Sequence, residues 1–205
     1  MLDAWILAAG RALLALALGL VITFTAGHTA AFGLIAFGAF ALAGGLWIAV
    51  GSFGARAEPV TRTAFRAQAV VTVVAGIAAV AMPGGGIGYL IWILSGWAIV
   101  TGALELVSGI RARGRVAGWT DRVIVGALTL LLGAVVLVIP PDIADRFSGD
   151  KGVEGMITSP IIVVGVLGGW AIVTGVLLAI AAASPRRAAR ETAAAPRTVR
   201  AGRSS

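Results

Sequence analysis

The sequence predicts an all-α membrane protein, six transmembrane helices forming three tandem helical hairpins with both termini cytoplasmic. Three observations predict it. Of the 205 residues 59% are hydrophobic and 12% charged, against roughly 25% charged in an ordinary soluble domain. Six apolar stretches approach the length of about 17 to 25 residues that crosses a hydrocarbon core of about 30 Å. Two of them contain one heptapeptide, Gly96-Trp97-Ala98-Ile99-Val100-Thr101-Gly102, repeated unchanged at Gly169-Trp170-Ala171-Ile172-Val173-Thr174-Gly175. A segment in lipid must satisfy its backbone polar groups within its own helix or a closed barrel, and continuous apolar runs of this length favour the helix.

The first stretch, Trp5 to Thr25, has Asp3 and no basic cluster before it, so it reads as a retained span and not a signal peptide. Ala30 to Phe53 is the second, Ala67 to Met82 the short third, Ile87 to Ile110 the fourth, Val123 to Ile139 the fifth and Pro160 to Ala183 the sixth. Pro83-Gly84-Gly85-Gly86 lies between the third and fourth and lacks the Lys-Ser/Thr of a phosphate loop, so it reads as a hairpin turn. The membrane domain is then 1–183, with hairpins at about 5–53, 67–110 and 123–183, and 184–205 is a separate tail.

Spacing organises these spans. Gly19, Gly76 and Gly133 lie 57 residues apart, as do Pro83 and Pro140. Gly38, Gly44 and Gly51 recur 58 residues later as Gly96, Gly102 and Gly109, and the first two again after 73 as Gly169 and Gly175. Repetition in one orientation indicates parallel repeats. Gly44 with Gly51, and Gly102 with Gly109, are seven residues apart and share a helix face, where small residues let helices approach closely. Gly165 and Gly169 form a further pair of this kind.

Arginine sets the orientation. Arg56, Arg62 and Arg66 fall between the second and third spans, Arg111, Arg113, Arg115 and Arg122 between the fourth and fifth, and six more follow Ala183, whereas the other side carries Arg146 and Lys151. Cytoplasmic loops are enriched in Lys and Arg, which puts both termini inside and Asp142, Asp145, Asp150 and Glu154 in a solvated exterior loop. The tail begins at Ser184, its Pro185 is expected to end the helix, and its six arginines stand among Ala, Thr, Pro and Ser, a composition of disorder. Anionic inner-leaflet lipids are its expected partners. Nucleic acid is not, because no aromatic residue is interleaved for base stacking.

An arginine near the start of each odd helix (Arg11, Arg66, Arg122), a glycine within it, a proline at its exit and an even helix of the Gly-x5-Gly type define a recurring hairpin. With the stretch Gly96 to Glu105 leading to a basic exit at Arg111 and Arg113, this pattern resembles the HdeD-like membrane proteins over roughly residues 4 to 183. The first hairpin departs in having Ala26 where the others have proline. The resemblance implies an inner-membrane protein linked by name to acid resistance, without an established chemistry.

Glu105 is the one acidic residue deep inside a span, on the face of Gly102 and Gly109. Arg11 is at matching depth, about 10 Å from the same membrane face at about 1.5 Å per residue. The two are expected to form an intramembrane ion pair, with Arg66 and Arg122 as rival partners and a proton or ion relay as the functional alternative. His28, the sole histidine, stands in an exterior turn and reads as solvated.

The chain has no cysteine, no His-Glu-x-x-His and no paired carboxylates within the membrane, so catalytic, cofactor and metal sites are not expected. Two readings remain. One is a compact non-enzymatic membrane protein with glycine-packed seams (Gly19, Gly44, Gly51, Gly76, Gly102, Gly109, Gly133 and Gly175) that serves acid or envelope stress tolerance. The alternative is a small transporter or channel subunit working past Arg11 and Glu105. Too few polar groups lie in one chain to line an aqueous path, so this alternative calls for a homo-oligomer.

Overall fold

The computed structural model describes residues 4–54, 59–115, 118–148 and 154–194. Six helices dominate it: α1 (Ala4–Phe24), α2 (Ala30–Gly54), α3 (Pro59–Ala81), α4 (Gly86–Arg111), α5 (Trp119–Leu137) and α6 (Ser159–Ala194), with strands β1 (Ala144–Ser148) and β2 (Glu154–Thr158) between the last two. All six contain a stretch long and apolar enough to cross a membrane. Large apolar side chains such as Leu13, Val74, Ile77, Trp92 and Ile180 point outward, where in water they would form a sticky surface and in a bilayer they meet acyl chains.

The helix pairs in longest contact join helices of different expected hairpins. α4 lies along α5, α2 along α3 and α1 along α6, while the two helices of each hairpin touch much less. Glycine explains the difference. A methyl group at Gly76 would strike the Leu42 backbone at 2.9 Å, and one at Gly133 would meet the Ile99 nitrogen at 3.1 Å. At Gly19 it would meet the Ile172 nitrogen at 3.2 Å. Gly102 against Leu130 and Gly126, Gly109 against Val123, and Gly175 against Leu16 make comparable backbone approaches. Such contacts give close van der Waals packing where lipid offers no hydrophobic drive for association.

Three glycine expectations need correction. Gly44 has open space where its Cβ would stand, and the seam is made by its neighbour Gly45, which faces the Val73 nitrogen at 3.0 Å. Position 45 precedes Gly102 by 57 residues, the interval of the odd helices, so the 58-residue offset is one residue out of register. Gly165 and Gly169 likewise face open space, and Gly168 packs on Ile22 instead. Gly51 does pack closely, as expected, against the Leu7 side chain of α1.

The loops also differ from expectation. β1 and β2 form an antiparallel ribbon with Ala144 opposite Thr158 and Ser148 opposite Glu154, where the sequence suggests a solvated loop. Ser159 secures its base, donating to the Pro140 carbonyl (2.7 Å) and accepting from the Ile143 N–H (3.0 Å). Arg56, Asp150 and Lys151 lie outside the described residues. His28 is half-buried and not freely solvated: its Nε2 donates to the Ile22 carbonyl at 2.9 Å, adding to the long Thr25 N–H bond (3.4 Å) on that acceptor at the end of α1. Gly86 starts α4 at φ +77° and Gly118 precedes α5 at φ +79°, conformations that glycine adopts without a Cβ penalty.

α3 begins at Pro59, so Arg62 and Arg66 sit on a helix and not in a connection. α6 continues through Pro185 to Ala194 instead of ending at Ala183. Proline forfeits one helical hydrogen bond, and the run of Ala and Arg after it is among the best helix-forming compositions. Of the expected disordered tail, 195–205 lie outside the described residues.

Candidate functional site

An ion pair lies in the middle of the bundle. Arg11 Nη1 donates to Glu105 Oε1 at 2.7 Å and Arg11 Nη2 to Glu105 Oε2 at 2.8 Å, the bidentate geometry that a planar guanidinium offers a carboxylate. Gln68 Nε2 donates to Oε2 at 3.1 Å. Glu105 is 3% exposed, so each carboxylate oxygen is held by a donor with water largely excluded. α1, α3 and α4 each contribute one member.

The bidentate contact belongs to Arg11 and not to its rivals. Arg66 is exposed on α3. The Arg122 guanidinium lies 4.8 Å from the centre of the Phe65 ring, a cation–π contact, and its Nη1 is buried without a hydrogen-bond partner. It remains within electrostatic reach of both Glu105 and Arg11. Two cations therefore lie near one buried anion.

Beside the network is a cavity of about 40 Å³, whose lining includes Arg11, Gln68, Glu105, Gly44, Thr101 and Thr174. It is large enough for a few water molecules at about 10 to 15 Å³ of probe volume each. Three aromatic rings cluster at its wall: Trp97 and Trp170 at 5.5 Å, Phe40 and Trp170 at 6.0 Å, and Phe40 and Trp97 at 6.1 Å, all edge to face. Trp97 Nε1 donates to Thr72 Oγ1 (3.1 Å) and Trp170 Nε1 to Thr129 Oγ1 (3.3 Å). At the corresponding 57-residue spacings Phe40 has no donor and Ala15 no hydroxyl, so donor and acceptor are lost together. The Thr174 hydroxyl is buried at the cavity with no partner.

Sequence reasoning singled out Arg11 and Glu105, which the structure brings together. It missed Gln68, the aromatic cluster and the threonines beneath it. The signal was present: Gln68 follows Arg11 by 57 residues, and Phe40, Trp97 and Trp170 are separated by the 57 and 73 residues that relate Gly45, Gly102 and Gly175.

These features define a six-helix, membrane-spanning type of bundle with an internal ion-pair network. Residues 67–138, from within α3 to just beyond α5, match the family model described as "Short repeat of unknown function (DUF308)". No curated protein and no solved structure matches the chain.

Proposed function

We propose that this chain is a non-enzymatic, multi-pass inner-membrane protein of the HdeD-like type, contributing to acid or envelope stress tolerance. In this reading it is built as three tandem repeats with both termini cytoplasmic. The observation that carries it is the closure of the polar network: both Glu105 oxygens are engaged by Arg11 and Gln68, which leaves the carboxylate tied to its own fold instead of free to abstract a proton. Similarity to a short-repeat family over 67–138 and the equivalent glycine contacts at 57-residue intervals support the repeat architecture. Anionic inner-leaflet lipids at the arginine-rich tail are its proposed partners.

Cells lacking the protein are expected to lose viability faster at low external pH, and the wild-type gene to restore survival. No difference across acid and detergent challenge would sink the stress reading. A second reading, a transporter or channel subunit, draws on the cavity beside the pair and the unpartnered Thr174 hydroxyl. Glu105-dependent proton or ion flux in reconstituted vesicles, lost in Glu105→Gln, would establish it in place of the first.

Orientation has its own test, because the native chain has no thiol. A cysteine at Gly84, where added atoms meet open space, should react with an impermeant thiol reagent from outside the cell. One at exposed Thr120 should react only after the membrane is opened. Reversed labelling would put the arginine-rich side outside, against the positive-inside rule.

A further inference from the structure

A groove of about 760 Å³ lies between α3 and α4, away from the ion-pair network. Ile99, Ala103, Val107 and Arg111 of α4 form one wall at successive four-residue intervals, and Ala64 and Ala67 of α3 stand opposite. At about 1.5 Å per residue the stripe from Ile99 to Arg111 is about 18 Å long, close to one leaflet's share of a hydrocarbon core of about 30 Å. The groove's lining is apolar except toward one end, where Thr63 and Ser108 precede the exposed guanidinium of Arg111.

The seam between α1 and α2 shows what the groove lacks. There Trp47 lies on Gly10, leaving no room for a methyl group, and its Nε1 donates to the Leu7 carbonyl at 3.1 Å. The positions 57 residues on are Ala67 and Leu104. Leucine is smaller than tryptophan and lacks its N–H, so the second seam stays open where the first is filled by the protein itself.

We propose that this groove binds one anionic phospholipid, an acyl chain lying along Ile99, Ala103 and Val107 with its phosphate at Arg111. The match of groove length to one leaflet selects an acyl chain. The positive charge of Arg111, the charged residue of the groove's lining, selects an anionic headgroup, as basic pockets between membrane helices do.

The test is native mass spectrometry of the full chain in detergent, titrated with phosphatidylglycerol or phosphatidylcholine of identical acyl chains. Wild type should retain phosphatidylglycerol about ten-fold better. Leu104→Trp, which copies the filled seam, should lose retention of both lipids, and Arg111→Gln should lose the preference while still holding an acyl chain. Ala67→Leu narrows the groove from the other wall and gives a second reading if Leu104→Trp fails to fold. Arg113→Gln, at the same end of α4 but outside the groove, should leave the preference intact. Equal retention of the two lipids by wild type, or undiminished retention in both filling variants, would overturn the proposal. So would a dimer that either filling variant converts to monomer, since the occupant would then be a second copy.

Discussion

Glu105→Gln is expected to cost about 3 to 5 kcal/mol of folding stability, the usual loss when one partner of a buried ion pair is removed, with membrane thinning and water entry reducing it where they reach. The change leaves the Arg11 guanidinium, 16% exposed at its side chain, without its carboxylate, and removes the anion whose field reaches Arg122 as well. Arg11→Met should cost less, because Glu105 keeps the Gln68 hydrogen bond and the field of Arg122. The double variant Arg11→Met/Glu105→Gln should recover much of the Glu105→Gln loss, since the stranded Arg11 guanidinium is gone and the introduced amide can pair with Gln68, leaving Arg122 as the one cation of the network without its anion. Folded yield in detergent and midpoints of thermal aggregation for the four proteins supply the cycle. Strictly additive losses would mean that the pair is not energetically coupled.

Glycines at opposite ends of the repeated heptapeptide should respond differently to the same substitution. Gly102→Ala, at the last position of the first copy, is expected to destabilise by about 1 to 3 kcal/mol, the range for overpacking a closely fitted interface. Its methyl would stand 2.7 Å from the Leu130 nitrogen and 2.9 Å from the Gly126 carbonyl oxygen, so α4 and α5 would have to separate along a seam where both partners are backbone and neither can rotate away. Gly169→Ala, at the first position of the second copy, faces open space. It should be neutral or stabilising by up to about 1 kcal/mol, the difference in helix propensity between glycine and alanine. Thermal midpoints of the two variants in one detergent decide it. Equal losses at both positions would show that helix flexibility, and not close approach, is what these glycines supply.

The hydrophobic lengths and the 57-residue interval were legible from the chain because a bilayer imposes a fixed span and internal hydrogen bonding on any segment within it. Arg11 and Glu105 were legible for a related reason: a charge deep in a span is costly enough that it implies a partner at its own depth. Depth along a helix follows from counting residues. Which face a residue occupies, and which neighbour it meets, does not.

Tertiary packing decided those remaining points. Gly44 and Gly45 are adjacent and chemically identical, and only the crossing of α2 and α3 puts Gly45 in the seam and Gly44 at the cavity. Gly96 and Gly169 carry the same heptapeptide context as Gly102 and Gly175, yet the first two face open space and the second two meet a neighbouring backbone, because each lies on a different side of its helix. Gln68 joins the network since α3 brings it to Glu105 across 37 residues of sequence. The β1–β2 ribbon also needed the fold, since its weakly patterned segments are held by pairing and by Ser159 at their base. The sequence by itself determined the solvent of this protein, its six spans and the depth of its charges, through one-dimensional constraints of length and polarity. The tertiary structure alone decided the seams, the cavity and the open groove, because these depend on how helix faces meet in space.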